Sequence, residues 1–313
     1  MPIPAIDNLA PERFSFWRPI PGATVATGAE ALPVVLPDFP LPIAREMLAA
    51  GPPSDDAIGQ GVYDYLRQFP DCPGNSVYAM LLRDAYPHFL ADLAAHALML
   101  DAKQVEPAYV ARKLTYLKVL RLVEPHNRGL LWQLSRGYFD LALEFAELAR
   151  CRQHLHDALR FGQEMLALDG DDPQALSLLA EIDLLLGDLP AAVGKWRRLS
   201  IQVSDPELQA RIAARLADCS DELPARPLVE ELEIIAEAMQ LQATGHADQA
   251  IALLEQIEEQ GQLTKVCPSA DFYCLLGQCR VAAGDHMGAV MALQKSLELE
   301  PEHATTLTTL DSM

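Results

Sequence analysis

Aromatic side chains are scarce in this chain, at 6% of 313 residues. Ala and Leu dominate an apolar fraction of 50% instead. A β-rich core leans on Val, Ile, Thr and aromatics, whereas Ala and Leu enter helices at little rotamer cost. Positive charge is short as well: 24 Lys and Arg face 44 Asp and Glu, a net charge of −20. Such a chain repels phosphate backbones and anionic lipid, so neither nucleic acid nor a membrane is expected as a partner. No run reaches the ~18 uninterrupted apolar residues that a spanning helix needs. None of the six cysteines forms a C-x-x-C pair. Residues 1–20 contain Asp7 and Glu12 and lack a basic start followed by an apolar run. A secretory leader is therefore not expected, and free thiols in a cytoplasmic protein are. The phosphate-cradling glycine loop, H-E-x-x-H and G-x-S-x-G are all missing. The chain accordingly reads as a non-enzyme with no cofactor and no metal.

What is present is unevenly distributed. Residues 1–53 hold eleven of the 23 prolines. Proline fixes φ and removes a donor, which excludes a long helix there. The run from Ala31 to Pro42 is apolar as well as Pro-rich, unlike a solvated linker. An extended arm lying on the folded body is expected, with one short helix from Ile43 to Ala50. Ser54-Asp55-Asp56 then opens a helix running to about Gln68, a hydroxyl cap with acids in the first turn. Further helices are expected at about 76–85, 87–102 and 107–123, completing an N-terminal helical region over 54–127. Charge shifts along the chain. Residues 102–160 carry ten Lys/Arg against six Asp/Glu, and residues 201–260 three against thirteen. Solvated helix faces of differing sign are the expectation, with two faces that choose different partners or pair in an oligomer as the alternative.

From residue 128 a repeat emerges. Gly187, Gly245 and Gly284 are each followed five residues later by alanine, at Ala192, Ala250 and Ala289. Four residues further stand large side chains, Trp196, Leu254 and Leu293. Eight residues before each glycine lie Leu179, Glu237 and Leu276, each followed by a small residue, Ala180, Ala238 or Gly277. Two antiparallel helices approach closely only where small side chains meet, and glycine lets the turn reverse tightly. Pro301 stops the last helix.

This pattern resembles the tetratricopeptide repeat. The repeats fall at about 173–206, 231–264 and 270–303. A degenerate copy fits 139–172, with Phe145-Ala146 as the large–small pair, Ala158 at the crossing and Gln153 in place of the turn glycine. Before it, the helix containing Trp132 and Tyr138 is expected to be unusually long. Residues 207–230 interrupt the series with one helix at about 206–218, and a short C-terminal cap follows residue 303. The resemblance implies an all-α fold, a right-handed solenoid of helical hairpins over 128–313.

It also implies a concave groove lined by first helices that binds a partner protein. By register the groove residues are Asp140, Leu143, Glu147 and Arg150; Gln174, Ser177, Glu181 and Leu184; Leu232, Ile235 and Met239; and Asp271, Cys274 and Gln278. The Lys, Arg and Asn set by which some members clamp a terminal carboxylate is missing apart from Arg150. An apolar, acidic groove suits an apolar or basic segment. The expected function is therefore an interaction scaffold or assembly adaptor. Leu307 and Leu310 are all that covers the last repeat, so a homodimer through the C-terminal edge is a further expectation. The alternative is a subunit of an enzyme complex with a site in 54–127, where Tyr63, Asp64, Tyr65, Tyr86 and His88 offer polar aromatic groups. Cys151, His154 and His156 sit close in sequence, as do Cys267, Cys274 and Cys279. Core and surface positions explain both groups better than a metal site, which needs four convergent ligands.

Overall fold

A computed structural model describes residues 11–26, 32–48, 51–101, 107–221 and 226–313. It is all-α apart from short strand pairs near its start, and divides into two compact units, Met1–Gly137 and Tyr138–Met313.

In the first unit, β1 (Phe14–Trp17) pairs antiparallel with β4 (Leu41–Ala44), and β2 (Thr24–Val25) with β3 (Val34–Val35). The helix expected from Ile43 starts only at Arg45, as α1 (Arg45–Leu48), because Ile43 is committed to the ladder opposite Ser15. Residues 49 and 50, also assigned to that helix, lie outside the described residues. The Pro-rich segment is built into the unit: Val25, Leu36, Leu41 and Ile43 are buried.

β4 packs on α2 (Asp55–Gln68), whose Ser54 cap accepts from the Ala57 amide. The approach is close. A Cβ on Gly61 would lie 2.4 Å from the Pro42 carbonyl oxygen, so glycine is required there. Tyr78 adds a hydroxyl bond of 2.8 Å to the Pro40 carbonyl. The helices α3 (Asn75–Ala85), α4 (Pro87–Asp101) and α5 (Pro107–Val123) complete the core with Leu82, Leu93, Leu114 and Leu117. α6 (Arg128–Leu143) has 16 residues against 17 in α5, so the expected unusually long helix does not form. The boundary between the units falls within α6.

The second unit is built from hairpins: α8 (Pro173–Leu186) with α9 (Leu189–Gln202), α11 (Leu228–Ala243) with α12 (Ala247–Gln260), and α14 (Ala270–Ala283) with α15 (His286–Leu299). The turn glycines Gly187, Gly245 and Gly284 sit at φ of 86°, 81° and 82°, which side chains with a Cβ rarely adopt. Asp188 and Asp285 follow two of them and accept from the amides of Ala191 and Gly288, capping the second helices. Ala192, Ala250 and Ala289 are fully buried, as are Ala180 and Ala238. A Cβ on Gly277 would lie 2.6 Å from two Leu293 side-chain atoms, which identifies the α14–α15 crossing. Gly277→Val is expected to destabilise the protein by about 2–3 kcal/mol through overpacking, read as a shifted urea midpoint.

The segment before these hairpins departs from the expected repeat. Phe145-Ala146 lies in a 3-10 helix, Phe145–Arg150, with Ala146 exposed, and Gln153 is inside α7 (Cys151–Leu168) rather than at a turn. Ala158 is buried, as its crossing role requires. The reason is tertiary: α11 packs on this 3-10 segment and also touches α7 and α8. Packing of this kind overrides the helical propensity of Phe-Ala-Glu-Leu-Ala-Arg. α11 starts beside the end of α8, since a Gly187 Cβ would lie 3.0 Å from Pro227. It then passes the start of α7, where Arg152 pairs with Glu233. The interrupting helix α10 (Pro206–Asp221) packs on α9 and buries Ile212, one turn α13 (Leu263–Val266) leads into α14, and α16 (Ala304–Asp311) closes the array.

Candidate functional site

The first helices of the second unit carry the candidate groove residues. α11 and α14 stand side by side with α16, linked by a polar ladder. Gln242 Nε2 donates to Gln278 Oε1 at 3.4 Å, and Gln278 Nε2 donates to Thr309 Oγ1 at 3.3 Å. Asp271 bonds His303 Nε2 at 3.1 Å, and His303 Nδ1 is 2.7 Å from the buried Thr306 hydroxyl. Around this ladder Asp271 is exposed, and Met239 and Gln278 are half-exposed. Cys274, Leu232 and Ile235 are buried beneath.

The groove residues of the earlier repeats are placed differently. Gln174, Asp140 and Arg150 are exposed, Ser177, Leu143, Glu147 and Glu181 half-buried, and Leu184 buried. Glu147 Oε2 lies 3.2 Å from the buried His154 Nε2, and Arg150 stands 3.9 Å from the same oxygen. Glu181 is taken by Arg215 of α10 at 3.1 Å. α11 packs against the 3-10 segment, α7 and α8, beside these residues.

The tie holding α11 there is bidentate. Arg152 Nε and Nη2 each reach a Glu233 oxygen at 2.7 Å. The hydrogen bond from Arg152 holds the Glu233 carboxyl below its usual 4.5. A depressed carboxylate stabilises the fold above the unfolded pKa, and that contribution fades as pH falls through the folded value. Glu233→Gln is thus expected to lower the melting temperature at neutral pH, with the difference from the parent closing below about pH 4. A gap of constant size across that range would contradict this account.

No protein-family model matches the chain, and no curated protein sequence matches it. Among solved structures, it is similar to MamA at 16% identity, over 68% of this chain and 93% of that one, with a TM-score of 0.28. It is similar to TTC0263, a thermophilic TPR protein of Thermus thermophilus, at 15% identity over 71% and 97%, with a TM-score of 0.28. A tetratricopeptide repeat protein from Parabacteroides merdae matches at 13% identity over 82% and 91%, also with a TM-score of 0.28. In this chain the three hairpins have left-handed turn glycines and small buried residues at each crossing.

Outside the first helices of the second unit, the other sequence candidates are committed to structure. Cys151 and Cys279 are buried, and burial pushes each thiol up to about 11. His154 faces Glu147 from within the core while His156 is exposed on the same helix. Among the described residues no three His, Cys, Asp or Glu side chains gather as a metal group would require. Among them, too, no helix is long and apolar enough to cross a membrane. In the first unit a cleft of about 580 Å³ is lined by Ser54, Asp56, Tyr86, His88 and Phe89 among others. Its polar groups hold the fold. Ser54 caps α2, and Tyr86 donates to the Asp55 carbonyl at 2.7 Å, with desolvation raising its hydroxyl pKa. Asp64 accepts from Gln60 and Arg67, Tyr63 stacks on Phe89 at 4.5 Å, and Tyr65 meets Phe14 edge-on.

Proposed function

We propose that this chain is a cytoplasmic, non-catalytic interaction scaffold that holds an apolar or basic segment of another protein on the first helices of its second unit. The observation that carries this reading is the α11–α14–α16 surface, joined by the Gln242–Gln278–Thr309 ladder. Met239 offers apolar contact there, and Asp271 offers a carboxylate at the rim. Buried Leu232, Ile235 and Cys274 give the surface a rigid floor, so little ordering entropy is lost on binding. Asp140, Leu143, Glu147, Arg150, Gln174, Ser177, Glu181 and Leu184 belong to the part against which α11 is seated, and join the binding surface only where α11 leaves them exposed. The charge of −20 disfavours nucleic acid and anionic membranes as partners. Leu307, 43% exposed on α16, makes the C-terminal edge the place for a homodimer.

Cross-linking of the tagged chain in its native cells, followed by affinity capture, tests the reading. A stoichiometric protein cross-linked to α11, α14 or α16, and bound roughly tenfold more weakly by a Met239→Gln/Asp271→Asn variant, is the expected result. Cross-links confined to the first unit, with affinity untouched by the variant, would sink it. Concentration-dependent sedimentation settles the dimer.

A further inference from the structure

The outer face of α15 carries side chains that its own hairpin does not need. Met287, Val290 and Met291 are 80%, 37% and 60% exposed. Their spacing places them on one side of the helix, and Gln294 and Glu298, both exposed, continue the same stripe towards the C terminus. Aligning the second helices on their crossing alanines shows how unusual this is. The positions of Met287 and Met291 hold Asp248 and Ala252 in α12, and Pro190 and Gly194 in α9, all exposed. The same hairpin thus forms without large apolar side chains at these two places, whereas the Val290 position is Val193 in α9 and Ile251 in α12, and exposing two methionines to water contributes nothing to folding.

The surroundings indicate what covers them. Residues 228–313 contain three cations, Lys265, Arg280 and Lys295, against fourteen Asp and Glu. Two of the three are engaged, Arg280 with Glu255 at 2.8 Å and Lys295 with Glu258 at 2.5 Å. An apolar stripe rich in flexible, polarisable methionine, ending in Glu298 within an acidic field, is complementary to one kind of partner. We infer that the outer face of α15 docks a basic amphipathic helix of another protein, its apolar stripe on Met287, Val290 and Met291 and a Lys or Arg opposite Glu298. A second copy of this chain fits poorly, because its face carries the same sign of charge. The site is separate from the first-helix surface proposed above, since α15 is a second helix.

The probe is a labelled synthetic Leu/Lys amphipathic helical peptide, titrated into the full chain by fluorescence anisotropy. Met287→Gln/Met291→Gln is expected to weaken binding roughly tenfold with an unchanged melting temperature. Glu298→Lys is expected to weaken it and flatten its salt dependence. One control is expected to bind as the parent does: Asp248→Gln/Ala252→Gln at the matching places in α12. Equal affinity of the methionine variant and the parent overturns the inference, as does equal weakening by the α12 control, which would mark diffuse charge attraction. Loss of binding only in the Met239→Gln/Asp271→Asn variant places the peptide on the first helices, leaving that reading standing and this one refuted. Self-association abolished by Met287→Gln/Met291→Gln assigns the stripe to a second copy and likewise overturns it.

Discussion

Trp196→Ala is expected to cost about 3–5 kcal/mol, the largest single-residue loss in the second unit. The indole is 2% exposed and one of the bulkiest fully enclosed side chains in the protein. It stands on α9 four residues beyond Ala192, whose small side chain lets α9 approach α8. α8 is buried nearly all round, from Ala175 to Leu185, because α7 and α9 flank it and α11 adds a third contact. Little of this can collapse into the void left by an indole, so the cavity contribution adds in full to the lost transfer energy. For a unit of this size the loss corresponds to a fall in melting temperature of roughly 10 °C. Leu199→Ala, one turn along the same helix at 1% exposure, should fall at the lower end of the Leu→Ala range, about 2–3 kcal/mol. If Trp196→Ala melted within a degree or two of the parent, α9 would not be the inner wall of this unit.

The hairpins were readable because their requirements are local. A left-handed turn demands glycine, and a close crossing demands alanine or glycine at a set distance, so Gly284, Ala289 and Leu293 announce themselves in one short window. The same holds for Ser54, whose side chain caps a helix three residues ahead. Other features depend on residues far apart in sequence. Nothing within Phe145–Arg150 says that α11 will pack on it, so its strong helix formers read as the start of a regular repeat. Nor does the register of α11 reveal that Leu232 and Ile235 sit at 5% and 1% exposure rather than open to a ligand. β1 and β4 leave no signal in the sequence because strands this short, one containing Pro42, have no alternation to betray them. Among the candidate binding residues, the polar ones on the C-terminal first helices, Asp271 and Gln278, do lie at the surface, whereas the apolar ones lie mostly beneath it.

The excess of acid over residues 201–260 reads as solvated helix surface, yet one member of it closes a turn, and its removal is the second large effect. Glu231 is 2% exposed, in the first turn of α11. Its two oxygens accept from the Gln262 amide at 3.1 Å each, and one also accepts from the Leu263 amide at 2.8 Å. The carboxylate thereby takes up the free backbone donors where the chain leaves α12 and turns into α13. A Cβ on Gly261 would lie 2.5 Å from the Ile257 carbonyl oxygen and 2.6 Å from the same carboxylate, which is why the turn residue is glycine. Glu231→Ala removes the acceptor and leaves two amides enclosed without a partner, an expected loss of about 3 kcal/mol. Glu231→Gln keeps one carbonyl oxygen for them and should lose only about half as much. Hydrogen exchange separates this from a general loosening: the amides of Gln262 and Leu263 should lose protection before those of α14. If they exchange in step with α14 in the alanine variant, the carboxylate is not what closes this turn.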